Sequence, residues 1–169
     1  MTAPPVGPKA GRKDDFMKLY LAYGSNLNKA QMARRCPDAV PIATTVIPNH
    51  QLVFRRGVLT IEFKPGSTVP VAVWKISAQD ERNLDGYEGF PHLYRKQDFP
   101  IILNGWKDGK KAVEEKVGEA MAYIMNPGRP IQAPSITYMM TCMKGYDDFG
   151  LDMTPLFEAK ERAEKGGDA

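Results

Sequence analysis

Apolar residues fall into short blocks along most of the chain and take up a helical spacing only near its end. Phe16 to Tyr23 is a run of aromatic and aliphatic residues stopped by Gly24-Ser25-Asn26, which predicts a strand. Asn28 stands three residues before Gln31, a variant of the capping box, and opens a short helix to about Arg35 that Pro37 ends. Strands are predicted over Val40–Ile47, His50–Arg55, Val58–Phe63 and Pro70–Ile76, with turn chemistry at Arg56-Gly57 and Pro65-Gly66. Ser77 caps a short helix from Ala78 to about Asp85, with Asp80 and Glu81 where the helix dipole favours acids and Gly86 as its left-handed stop.

Two more strands follow, around Leu93–Leu103 and Val117–Met125, with the hairpin-type pairs Asn104-Gly105 and Asp108-Gly109 between them. A proline-rich loop then leads to Ser135, which caps a helix whose Ile136, Met139, Met140 and Met143 recur at helical spacing as core filler, ended by Lys144-Gly145. Thr154-Pro155 opens a last helix to about Lys165. Strands dominate early and helices come late, without internal repeat, which argues against a doubly wound parallel sheet. The fold class expected is α+β: a small mixed, strongly curved, barrel-like β-sheet with flanking helices, forming a single domain over residues 16–165.

Composition changes this picture little. A chain of 169 residues with 25% charged positions is long enough for one self-sufficient core. Of its 23 basic residues, Lys9, Arg12 and Lys13 lie ahead of the first acid, so the rest balances at 20 against 20. The basic excess belongs to a leader over residues 1–15, rich in proline and glycine and expected to be disordered, and no protein-wide field for nucleic acid is implied. No apolar run approaches a membrane span, and the leader has no apolar core of the secretory kind. Cys36 and Cys142 show no metal-ligand spacing and suit two unpaired thiols in a reducing cytosol, so the expected location is cytoplasmic and no metal is expected.

Neither a dinucleotide fingerprint nor a P-loop occurs, and His50 and His92 read as loop or surface histidines rather than catalysts. Two features carry chemistry. Tyr23-Gly24-Ser25-Asn26 joins a strand to a helix, where a glycine at φ > 0 could aim successive N–H groups into one concavity suited to a carboxylate or oxyanion. Leu84-Asp85-Gly86-Tyr87-Glu88-Gly89 places an acid just past a helix stop among Tyr87, Phe90 and Tyr94; a carboxylate dried by aromatic rings has its pKa raised and becomes a competent base near neutrality. Asp85 reads as a helix-end hydrogen-bonding group. Taken singly, the loop also reads as a tight capped turn and Glu88 as an exposed loop acid.

Taken together, the two elements, in this order, make the chain resemble the γ-glutamylcyclotransferase family, including its AIG2-like members. Pro91-x-x-Tyr94 with Arg95 and Lys96, then Ala133-Pro134-Ser135-x-x-Tyr138, Gly145 and Gly150-Leu151, are similar to later family segments, so the resemblance spans Leu19 to about Lys160. It implies an enzyme that cyclises a γ-glutamyl group to 5-oxoproline and releases an amine or amino acid, without cofactor or metal. It implies Glu88 as general base and acid, main-chain donors of Tyr23, Gly24, Ser25 and Asn26 on the substrate, Tyr20, Leu21 and Ala22 lining the pocket, and Tyr94 and Tyr138 contacting substrate. The partner implied is a small γ-glutamyl compound, with a homodimer left open. Phe90, Pro91 and Trp106 are candidates for shaping the leaving-group side. Tyr-Gly-Ser-Asn departs from the Tyr-Gly-Ser-Leu of the glutathione-specific branch, while Glu88-Gly-Phe-Pro-x-x-Tyr echoes the γ-glutamylamine branch, so the leaving group stays open. The alternative is a non-catalytic binding protein using the same cavity.

Overall fold

The computed structural model describes residues 17–107 and 110–166, so the expected leader and the Asp108-Gly109 pair lie outside the described residues, as does the side chain of Trp106. At the centre of the sheet runs β1 (Lys18–Ala22), whose Tyr20, Leu21 and Ala22 are all buried because both faces of a central strand are covered. A 3-10 turn (Ser25–Leu27) and α1 (Lys29–Arg35) follow, then β2 (Val40–Arg55), β3 (Val58–Ile76), α2 (Ala78–Glu88), β4 (Tyr94–Lys107), β5 (Lys110–Met125), α3 (Ile136–Asp148) and α4 (Thr154–Glu164). The strand order is β2-β3-β1-β5-β4, with β1 antiparallel to β3 and parallel to β5, so the sheet is mixed as expected. It curls until its edges approach, His50 of β2 and Phe99 of β4 meeting edge to face at 5.4 Å; past the end of β1, Met125 N–H of β5 donates to Thr60 Oγ1 of β3 at 3.0 Å.

The strands are longer than their sequence signals. Pro65-Gly66 does not end a strand, and His50 does not start one. β2 and β3 stay paired from Val40↔Lys75 to Arg55↔Val58 through an irregularity beside Pro48. There Asn49 takes a left-handed φ of 56° and its Oδ1 accepts the N–H of Gly66, itself at φ 83°. Turn-type residues here build a bulge inside a ribbon. Only Arg56-Gly57, both at positive φ, turns the chain, as expected. Likewise, Asn104-Gly105 is a register shift within the β4–β5 ribbon, not its turn, and pairing continues to Lys107↔Lys110.

Helix ends also move. Ser77 and Asp80 form a reciprocal capping box, but α2 runs through Gly86 and stops at Gly89, at φ 62°. Glu88 is therefore the last residue of a helix rather than a loop residue beyond one. In α3 the expected methionine stripe is corrected: Ile136 and Met140 are 80% and 63% exposed, while Met139, Cys142, Gly145 and Tyr146 are buried. Gly145 does not end α3 but sits inside it, where the helix packs directly on the backbone of Leu27 and Asn28; Phe149 and Gly150 follow as the terminator. At α4 the cap comes from Asp152, whose Oδ1 accepts the Thr154 N–H at 2.9 Å, rather than from Thr154. Cys36 and Cys142 are buried and unpaired. Among the described residues no helix is long and apolar enough to cross a membrane, and no group of His, Cys, Asp and Glu could hold a metal ion.

Candidate active site

Gly24 stands where β1 leaves the sheet. Its φ is −129°, not the positive value expected for a nest. Space is tight there, since a Cβ would lie 3.3 Å from both Leu59 Cδ1 and Tyr138 Oη and those side chains would have to give by a few tenths of an ångström. The 3-10 turn that follows bonds Leu27 N–H to Gly24 O and Asn28 N–H to Ser25 O, both at 3.0 Å. The N–H groups of Ser25 and Asn26 come before the first carbonyl such a turn can reach, so they have no acceptor within it.

Gly24, Ser25 and Asn26 line a cavity of about 250 Å³, shared with Tyr20, Tyr23, Arg35, Tyr87, Glu88, Tyr94, Tyr123 and Tyr138, and with Val58, Leu59 and Leu93. The expected acid and the expected loop thus face one hollow, just below the ~300 Å³ lower bound usual for drug-sized ligands. They also touch. Asn26 Nδ2 donates to Glu88 Oε1 at 3.1 Å and to Tyr20 Oη at 2.9 Å. Its carbonyl Oδ1 accepts from Gln31 Nε2 at 3.2 Å and from Arg35 Nη1 at 3.0 Å. Two donors on that oxygen fix which end of the amide faces the acid.

Burial drives the Glu88 carboxyl up to about 7; the positive charge of Arg35 and the Asn26 hydrogen bond pull the other way without cancelling it. The surrounding phenols are neutral for the same reason: desolvation, followed by the proximity of Glu88, raises Tyr20 and Tyr94, and desolvation also dominates at Tyr23 and Tyr138. The site is a phenol-lined pocket with one partly buried acid at its wall.

Tyr94 and Tyr138 line the cavity, yet their hydroxyls are engaged with β3: Tyr94 donates to Leu59 O at 2.8 Å, and Tyr138 accepts from Leu59 N–H at 3.1 Å. Tyr23 Oη donates to Tyr123 O at 2.5 Å. Leu21 and Ala22 are buried in the core and are not among the residues lining the cavity; neither are Phe90 and Pro91, and Phe90 instead carries Lys96 over its ring at 4.3 Å. His50 and His92 lie away from it. Asp85, on the neighbouring face of α2, accepts from Tyr123 Oη at 2.6 Å and pairs with Lys96 at 2.9 Å, which ties the acid-bearing helix to the sheet. Sequence reasoning missed Arg35, Tyr123, Val58, Leu59 and Leu93 as cavity residues, and named Tyr87 only as a ring beside the acid. Gln31 and Arg35, one helical turn apart on α1, were the available signal for a shared polar target.

The model of the family described as Gamma-glutamyl cyclotransferase, AIG2-like, matches residues 20–140, a stretch that carries the loop, the acid and both tyrosines. The chain belongs to this family. Solved structures agree on the fold. A structure titled Gamma-glutamyl cyclotransferase is 23% identical with a TM-score of 0.63, over 90% of this chain and 89% of that one. The uncharacterised protein loc79017 from Homo sapiens is 23% identical with a TM-score of 0.62, over the same shares of 90% and 89%. YkqA from Bacillus subtilis is 16% identical with a TM-score of 0.60, over 90% of this chain but 56% of that one. Among curated proteins no sequence matches. The γ-glutamylcyclotransferase-like fold expected from the sequence is therefore the fold of the chain.

Proposed function

We propose that the protein is a γ-glutamylcyclotransferase that converts a γ-glutamyl amide into 5-oxoproline and a free amine or amino acid, with Glu88 as the proton relay. The observation that carries this reading is the 3.1 Å contact between Asn26 and Glu88 at the wall of one small cavity that the Gly24–Asn26 segment also lines. The Glu88 carboxylate takes a proton from the substrate's α-ammonium, and the freed nitrogen attacks the γ-carbonyl carbon. The oxyanion so formed is held by the N–H groups of Ser25 and Asn26, and the C–N bond to the leaving group breaks as Glu88 returns the proton to that nitrogen. After attack the ring nitrogen gives up its second proton to the same carboxylate, which hands it to the departed amine; the α-nitrogen thus sheds two protons, the leaving nitrogen gains two, and none is consumed overall.

The magnitudes are compatible with a single carboxylate. Ring closure is intramolecular, and holding the chain in a near-attack geometry supplies ~7–11 kcal/mol; general base catalysis adds about 10²–10⁴-fold. A reducing cytosol suits the two buried thiols, whose pKa values burial pushes up to about 12, well away from reactive thiolates.

The direct test is pyroglutamate release from a panel of γ-glutamyl amino acids, γ-glutamylamines and glutathione. No release from any member, with binding retained, would leave a binding protein instead. The pH dependence is set by the acid. Glu88 works as a base only when ionised, so kcat/KM should climb through a midpoint of about 7 and fall roughly tenfold per pH unit below it. A profile flat down to about pH 5 would mean that the acting base is an ordinary solvated carboxylate, not one raised to about 7 by burial.

A further inference from the structure

We infer that Arg35 of α1, acting through Asn26, is a positioning residue that aims the catalytic acid and keeps it available as a base. This rests on the reading of Glu88 given above, and goes beyond it by adding a helix that neither motif includes.

The geometry is a relay of hydrogen bonds. Arg35 Nη1 donates to Asn26 Oδ1 at 3.0 Å, Gln31 Nε2 donates to the same oxygen at 3.2 Å, and Asn26 Nδ2 donates onward to Glu88 Oε1 at 3.1 Å. An amide whose oxygen is claimed twice cannot rotate by half a turn without presenting that oxygen to the carboxylate, which would lose both donors and set oxygen against oxygen. The guanidinium also lies over the Tyr87 ring, with 4.3 Å between its carbon and the ring centre, a cation–π contact. Tyr87 adjoins Glu88 on α2, so Arg35 grips the acid's helix by two routes.

Charge works in the same direction. Among the described residues lining the cavity, Arg35 is the sole cation and Glu88 the sole acid. The groups facing Glu88 from the other elements are the phenols Tyr20 of β1, Tyr23 just after it, Tyr94 of β4, Tyr123 of β5 and Tyr138 of α3, with Tyr87 on its own helix. Tyr20, Tyr23, Tyr94, Tyr123 and Tyr138 are all raised by burial and stay neutral. Arg35 is then the charge that, together with the Asn26 hydrogen bond, opposes the desolvation lifting Glu88.

The test compares Arg35→Met and Arg35→Lys with the native chain by three measurements: the Glu88 carboxyl titration followed by ¹³C NMR, kcat and KM across pH, and thermal unfolding. For Arg35→Met the Glu88 midpoint should move up from about 7 and the acid limb of the rate profile with it, while kcat falls about 10- to 100-fold, the penalty of a misaimed group. Arg35→Lys keeps the charge and loses the flat fork, so its midpoint should stay near native while kcat recovers only in part. An unchanged Glu88 midpoint in Arg35→Met would overturn the proposal, as would a rise in KM with kcat intact, which would make Arg35 a substrate ligand. The NMR titration needs no turnover, so an inactive native protein would end the cyclotransferase reading while the positioning claim is still decided.

Discussion

Glu88→Gln should lose about 10²- to 10⁴-fold in turnover while folding and binding substrate as before. The glutamine amide is of the same size, and its oxygen can still accept the Asn26 N–H that now ends on Oε1 at 3.1 Å. What it lacks is a lone pair basic enough to take the α-ammonium proton. The loss should fall on kcat with KM little changed, since the removed interaction is used in the transition state. A variant that kept half of the native rate would show that another group moves the proton.

The same substitution should also change stability, with the opposite sign. The carboxyl of Glu88 sits near 4.5 when solvated and at about 7 in the folded chain. Across that window the folded state binds more protons than the unfolded state, so native stability declines as pH rises from about 4.5 to about 7 and stays lower above it. Glutamine carries no such penalty. Glu88→Gln should therefore match the native protein at about pH 4 and exceed it at about pH 8, by on the order of 2 kcal/mol allowing for water reaching the cavity. Thermal unfolding at the two pH values checks it, and equal melting temperatures at alkaline pH would mean that the acid is not dried by its surroundings.

Gly145→Ala should be the most damaging small change outside the cavity. A methyl there would lie 2.6 Å from Leu27 Cβ and 2.7 Å from both Asn28 N and Leu27 C, and two of those three atoms are main chain. Neither α3 nor the 3-10 turn can yield without moving the other. Alanine is the better helix former by nearly 1 kcal/mol, but overpacking against backbone costs ~1–3 kcal/mol and often more, so the clash wins. A lower melting temperature, by about 2–10 °C, is expected for a chain of this size. Activity should drop beyond what unfolding explains, because Leu27 adjoins Asn26. An alanine variant as stable as the native chain would mean that α3 can stand off from the turn at no cost.

The difference between what the sequence announces and what it conceals has physical causes. Glu88 and Asn26 are legible because a helix-stop glycine and a strand-ending loop are local signals with a chemical type attached. Arg35 is nearly silent: its spacing from Gln31 is the one hint, and a basic residue on a short surface helix otherwise looks the same whether it meets water or an amide oxygen. Gly145 misleads twice: glycine signals a helix end, and a hydrophobicity count gives no weight to a residue whose contribution is having no side chain. The buried face of α3 is built around that gap, with Met139, Cys142 and Tyr146 beside it, so the methionine periodicity picks out a neighbouring face. Pro48-Asn49 and Pro65-Gly66 carry turn chemistry, yet they lie opposite one another across a ribbon, and only their pairing turns two apparent turns into one bulge.

The hold of Tyr94 and Tyr138 on Leu59 reaches beyond the pocket. Opposite Phe54, the main-chain groups of Leu59 point away from β2, where a further strand would ordinarily dock. Two phenols occupy that docking line instead, one receiving the amide and one feeding the carbonyl. At Leu59 the molecule thereby finishes an unfinished border with side chains that also wall the cavity, so this point of the edge has no main-chain group left for strand pairing.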